Sequence, residues 1–205
     1  MKHFDLSTDA GAYVLGILWG TMSISNEGFL VRHRDMWYLD AVRSYLQLSQ
    51  SVHVVEELTG EQFRLKIANR KNVNKLVSIL EKYGWTPRKA ETRYYPFGDI
   101  ADRGFIRAWV ELHSSADVRM AKHRNGNYYP QKRVRIYGNQ HLLEDINLII
   151  SRGIGQRPRR LQKTTNAFTK GLYFQGRNVA PVVGWLYAGA EMWNPTAKAK
   201  LMFEE

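Results

Sequence analysis

The 205-residue sequence contains no cysteine. Disulfides, zinc–cysteine sites and thiol nucleophiles are thereby excluded, and an intracellular setting is favoured, cytoplasmic (bacterial or phage-encoded) or organellar. No apolar run approaches about 18 residues, so no membrane-spanning helix is expected. The start, Met1-Lys2-His3-Phe4-Asp5, lacks the apolar stretch of a secretory signal. There is no P-loop and no nucleophile elbow, and Gly153-Ile154-Gly155 is too short for a dinucleotide fingerprint. The six histidines, His3, His33, His53, His113, His123 and His141, stand at no metal-binding spacing. No cofactor and no metal site is therefore expected.

Acid is also scarce where base is plentiful. The chain carries 30 Lys/Arg against 19 Asp/Glu, a net charge of +11. Residues 1–117 are nearly balanced, with a net of +1. Residues 118–190 hold 13 Lys/Arg and only two acids, Glu144 and Asp145. A basic surface kept for solubility gives no reason for acids to vanish from one stretch. A surface that tracks phosphates explains both the gain and the loss. Tyr128, Tyr129, Tyr137 and Tyr173 are interleaved with the bases, suited to packing on a sheet face or to stacking on sugars and bases.

Periodicity predicts a repeating order of elements. Thr8 or Asp9 can cap a small-residue helix over 10–20. Residues 21–34 read as a hairpin around Asn26-Glu27-Gly28, and residues 36–48 as a helix. A second hairpin spans 52–57 and 62–68, and a helix runs from Asn72 until Gly84 stops it. Residues 85–102, with Pro87 and Pro96, show no period and read as a linker. The order then restarts: helix 104–113, hairpin 118–124 and 132–137, helix 139–151, hairpin 160–163 and 168–175, helix 178–190 and a short helix from Pro195. The chain reads as two α-β-β-α-β-β-α repeats, over residues 1–84 and 103–205, offset by about 92 residues. The fold class is α+β with two antiparallel sheets and a pseudo-two-fold axis.

Several segments carry a family resemblance. Tyr13-Val14-Leu15-Gly16-Ile17-Leu18-Trp19-Gly20 and Arg103-Gly104-Phe105-Ile106-Arg107-Ala108-Trp109-Val110-Glu111 resemble the two signature helices of the LAGLIDADG homing endonucleases. Gly84-Trp85-Thr86-Pro87-Arg88-Lys89-Ala90 is similar to the stretch after the family's first repeat. Val183-Gly184-Trp185-Leu186-Tyr187 and Asn194-Pro195 fit near the end. The resemblance runs from about Ala10 to Phe203. It implies two central helices that cross at small residues, met here by Gly16, Gly20 and Ala108. It also implies two sheets that form a saddle along the DNA major groove.

The resemblance also implies two carboxylates, one ending each signature helix, that hold divalent metal for phosphodiester hydrolysis. Thr21 and His113 occupy those positions. Threonine is a poor ligand for a hard cation, and histidine a soft and neutral one. Glu111 lies two residues earlier, a rotation of roughly 200° on a helix, and so leaves from the opposite face. It reads equally as a buried, an interfacial or a solvent-facing polar group. Asp117 and Glu27 lack symmetric counterparts. The basic pair expected at the last helix is replaced by Thr196-Ala197, although Lys198 follows.

Strand parity supplies DNA-contact candidates. In the first repeat they are Ser23, Ser25, Arg32, Arg34, Arg64 and Lys66, with Lys89 in the linker. In the second repeat Arg133, Arg135, Tyr137, Tyr173 and Gln175 oppose apolar strand positions. Arg119, Lys122, Arg124, Lys132, Arg157, Arg159, Arg160, Lys163 and Lys170 complete the basic set. The function that follows is sequence-specific binding of double-stranded DNA by a monomer without nuclease activity, as a transcriptional regulator or repressor. The alternatives are a divergent magnesium-dependent endonuclease with ligands displaced to Glu111, Asp117 or Glu27, and an intron-RNA maturase with structured RNA as partner.

Overall fold

The computed structural model describes residues 4–25, 28–58, 60–68, 70–87 and 93–204. Helix α1 (Asp9–Thr21) begins at Thr8, whose side chain accepts a hydrogen bond from the Gly11 amide. Every residue from Gly11 to Trp19 is buried, so α1 has no solvent face and must lie inside the molecule. Helix α4 (Asp102–His113) is likewise buried without a break from Gly104 to Val110. The two pack side by side, and their closest approach is set by residues with little or no side chain. A Cβ built on Gly16 would sit 2.7 Å from both the Ala108 Cβ and the Phe105 carbonyl oxygen. One on Gly104 would sit 2.3 Å from the Asp9 carbonyl oxygen. The predicted small-residue crossing is thus present.

Each central helix runs directly into a strand. After α1 come β1 (Met22–Ser25), β2 (Gly28–His33), α2 (Met36–Leu46), β3 (Val52–Glu57), β4 (Gly60–Ile67) and α3 (Arg70–Lys82). After α4 come β5 (Ser114–Lys122), β6 (Tyr128–Gly138), α5 (Gln140–Gly153), β7 (Gln162–Lys163), β8 (Lys170–Gln175), α6 (Val179–Tyr187) and α7 (Pro195–Met202). Both sheets are antiparallel and four-stranded, with the matching orders β1-β2-β4-β3 and β5-β6-β8-β7. One face of each sheet carries the apolar residues, among them Phe29, Val31, Leu65 and Ile67 in the first and Val134, Ile136, Leu172 and Phe174 in the second. These join α1 and α4 in a single buried core.

The structure revises several sequence boundaries. Strand β5 starts four residues earlier than periodicity predicts, directly after α4, and ends at Lys122 rather than 124, while β6 extends outward to Tyr128, where it leaves the core and loses the apolar alternation. Helix α6 stops at Tyr187 rather than 190. Ala188 turns extended there, Gly189 takes φ +64°, and the Ala188 carbonyl accepts from Arg103 Nη1 at 2.6 Å. The stretch predicted as a linker has no regular element among its described residues before Asp102, where α4 begins, yet it is packed down. Trp85 lies edge-on to Phe29, Trp19 Nε1 donates to the Tyr94 carbonyl at 3.0 Å, and Arg93 is buried. Among the described residues no helix is long and apolar enough to cross a membrane.

The helix crossing makes a sharp demand. Gly16→Val should destabilise the protein by about 1–3 kcal/mol or more through overpacking against Ala108, read from urea unfolding midpoints.

Candidate nucleic-acid interface

Register assigns each strand residue to a face, because paired residues in an antiparallel sheet share one. In the first sheet Ser23 pairs with Leu30, Leu30 with Lys66, Arg32 with Arg64, and Arg64 with His53. These lie opposite the core residues, on the face that carries no helix. In the second sheet Ser115, Arg135 and Tyr173 form one cross-strand row. Asp117, Arg133 and Gln175 form the next, and Arg119 pairs with Gln131 beyond it. Tyr137 shares this face. Of the predicted contacts, Arg32, Arg64, Lys66, Ser23, Arg119, Arg133, Arg135, Tyr137, Tyr173 and Gln175 therefore lie on the helix-free faces. Gln131, Tyr129 and His53 belong there as well; Tyr129 is one of the aromatics interleaved with the bases in the sequence, whereas Gln131 and His53 are not among the predicted contacts.

The remaining predicted contacts sit elsewhere. Lys122 and Lys132 fall on the helix side by register, 5.9 Å over the Tyr128 ring and 4.9 Å over the Phe203 ring respectively. Lys163 and Lys170 pair with each other on that same side of the second sheet. Arg159 lies 5.0 Å over the core-facing Phe174. Arg34, Arg124, Arg157 and Arg160 are exposed outside the strands. Lys89, Glu27 and the Ser25 side chain lie outside the described residues.

The helix-free face of the second sheet is held in order by its own polar contacts. Asp117 accepts from Arg133 at 2.7 and 2.8 Å and from Arg135 at 2.6 Å. The Arg133 hydrogen bond holds its carboxyl below the usual carboxylate range. Both its oxygens are engaged, so it aligns two guanidinium groups. Arg119 is held 3.3 Å from the side-chain oxygens of Gln131 and Gln175. The result is a row of guanidinium and amide groups, the types that read base edges by paired hydrogen bonds.

Between the two sheets lie the ends of the central helices. Thr21 Oγ1 donates its proton back to the Ile17 carbonyl at 2.6 Å, within its own helix. His113 is stacked on Trp109 at 4.1 Å between centroids. Its Nε2 points at Gly20, where a Cβ would lie 2.5 Å away, and has no hydrogen-bond partner. Burial pushes His113 down to about 4, with His33 and Arg93 adding to the effect, so the ring is neutral near pH 7. Arg93 fills the space beside them. Its guanidinium donates to the carbonyls of Trp19, of Met22 at 2.9 Å and of Thr86 at 3.2 Å, and lies 4.9 Å over the Trp85 ring. Burial lowers its pKa to about 10, which still leaves it charged. It satisfies orphan carbonyls at the negative end of α1. Sequence reading missed Arg93, since nothing in the aperiodic stretch distinguishes it from a surface arginine.

No family model and no curated protein matches this sequence. Solved structures do match its shape. The LAGLIDADG homing endonuclease I-LtrWI bound to target DNA superposes with a TM-score of 0.60 at 10% identity, covering 93% of this chain and 86% of that one. I-SmaMI bound to cleaved DNA gives 0.59 at 10% identity over 93% and 86%. I-AabMI bound to uncleaved DNA gives 0.54 at 14% identity over 93% and 87%. The fold is that of the LAGLIDADG homing endonucleases. At these identities the likeness is one of architecture.

The divalent metal expected of that fold does not fit the residues present here. Thr21 is hydrogen-bonded internally, His113 is a neutral imidazole facing a glycine, and the Arg93 cation acts on it. Among the described residues no group of three or more His, Asp or Glu could hold a metal ion. The two displaced acids among the described residues, Asp117 and Glu111, do not replace the missing pair. Asp117 is bound by two arginines. Glu111 accepts from the hydroxyls of Tyr13 and Tyr187, the latter at 2.8 Å, and from the Asn194 amide at 3.1 Å. It is therefore a half-buried polar group that ties α1, α4, α6 and the start of α7 together. Arg107, fully buried beside it, binds Asp9 and the carbonyls of Leu186 and Met192, both at 2.9 Å.

Burial pushes Glu111 from an ordinary 4.5 up to about 7, against its three donors and Arg107. The folded state thus keeps this proton to higher pH than the unfolded chain does. The contribution of Glu111 to stability falls as pH rises from about 4.5 to 7. His113 slopes the opposite way in this window, but a comparison with Glu111→Gln cancels it. The wild type minus variant difference in unfolding free energy should shrink between pH 5 and pH 8, followed by urea unfolding. A difference constant with pH would remove Glu111 as the titrating group.

Proposed function

We propose that this chain is a sequence-specific double-stranded-DNA-binding protein that has lost the nuclease chemistry of its fold and acts as a transcriptional regulator. The observation that carries the reading is the contrast between its two polar regions. The helix-free faces keep aligned arginine, glutamine and tyrosine side chains, while the helix ends hold Thr21, His113 and the Arg93 cation where metal ligands belong. The three structural neighbours named above support the DNA-binding part of this reading, since each carries DNA in its solved structure. The chain acts as a monomer on this reading, because the two repeats already supply both halves of a pseudo-symmetric surface.

The test is selection of binders from a randomised duplex library by purified protein with magnesium present. The selected DNA is then run on a denaturing gel. A long, weakly symmetric consensus recovered intact is the expected result. Specific cutting would overturn the loss of chemistry, and preferential capture by structured RNA competitor would overturn the choice of duplex. Binding should weaken steeply with added salt, as several phosphate contacts release counterions. Arg119→Ala should weaken the selected site by about tenfold and relax the preference at one or two base pairs, the size of one lost base contact.

A further inference from the structure

The turn between β7 and β8 carries a phenylalanine that the contact surface described so far does not use. Phe168 is 65% exposed, the most exposed phenylalanine among the described residues. The turn that presents it is well ordered by its own hydrogen bonds. Asn166 Oδ1 accepts from the Phe168 amide at 2.9 Å, and the Thr164 hydroxyl lies 2.9 and 2.8 Å from the carbonyls of Asn166 and Thr169. An ordered turn that leaves a large apolar ring outside gains nothing for the fold from that ring. Its position is specific. Phe168 and Thr169 border a cleft of about 250 Å³ whose other walls include His113, at the end of α4, and Tyr137, on the helix-free face. The ring therefore stands near the midline of the molecule, where the two sheets meet. The topologically equivalent turn of the first repeat, between β3 and β4, presents Leu58 fully exposed.

A large apolar ring held outside at the midline, beside the helix-free faces, suits one ligand in particular: a duplex whose base stack meets the ring.

Resting on the DNA-binding reading above, we infer that Phe168 is a wedge that inserts at a base step in the middle of the bound duplex. Such wedges part adjacent bases and kink the helix, and flexible pyrimidine–purine steps yield most easily.

The experiment places 2-aminopurine at each central position of the selected duplex in turn. Fluorescence on binding is compared for wild type, Phe168→Leu and Phe168→Ala. Wild type should raise the signal several-fold at one step. Phe168→Leu should retain part of the rise, and Phe168→Ala should abolish it while binding about tenfold more weakly with an unchanged melting temperature. An equal rise with wild type and Phe168→Ala would overturn the wedge and leave the DNA-binding reading standing. So would tight binding by both without any rise. Failure of the wild type to bind any duplex would overturn both.

Discussion

The contact between α1 and α4 sets everything else in this molecule. Two helices that are buried along most of their length can approach this closely only where one side chain is absent and the other is a methyl group, as at Gly16 and Ala108. Because they cross there, their C-terminal ends emerge side by side. Strands β1 and β5 begin at the next residue in each case, so no loop separates the helix crossing from the sheets. The register of each sheet then follows from β1 and β5, and with it the assignment of arginines to one face. A shift of one residue in β6 would send Arg133 and Arg135 into the core and Val134 out of it. The polar face is thus positioned by an apolar crossing at the centre of the molecule.

Charge about that crossing falls into two groups. In one, Asp9 at the start of α1 and Glu111 near the end of α4 meet Arg107, Tyr13 and Tyr187, and Asp9 Oδ2 and both Glu111 oxygens have donors. In the other, near the C-terminal ends, α1 presents carbonyl groups whose partial negative charge would attract a cation. Arg93 supplies it from the segment that joins the repeats. A guanidinium has five donors in a fixed plane and can satisfy several carbonyls at once. Here it bonds to three. The same group adds a positive field beside His113, one of the reasons that the imidazole stays neutral. The linker is therefore part of the central site, and its aperiodic sequence reflects packing against two helices rather than freedom from structure.

Much of this architecture was legible from residue order. The alternation of Phe63, Leu65 and Ile67 with Arg64 and Lys66 identifies both faces of β4, and the same holds for Val134 and Ile136 in β6. The small residues of the signature helices announce a crossing. What periodicity does not carry is the partner of a polar side chain. Glu111 could have faced solvent, the interface or the core; only the arrival of Tyr187 and Asn194 from more than 75 residues away decides it. Lys132 and Lys163 illustrate the converse. Their charge suggested the phosphate-facing surface, yet parity with Val134 and pairing with Lys170 place them on the helix side. Charge alone gives a residue's affinity for anions, and register gives its direction.

On the proposed reading, the loss of chemistry also changes what holds the centre together. Two carboxylates brought together at adjoining helix ends repel one another, and one of them must take up a proton or both must share a cation. An active site of that kind stores an electrostatic penalty in exchange for reactivity. Thr21 and His113 remove the penalty, since neither carries charge at neutral pH. Arg93, which beside two carboxylates would compete with a bound metal for the same charge, can instead serve the α1 carbonyls permanently. The three residues are consistent only as a set. Restoring an acid at position 113 would bury a carboxylate against Gly20 with Arg93 already committed to backbone. Return to metal chemistry therefore requires the linker to move as well as the helix ends to change, which makes the present arrangement self-stabilising.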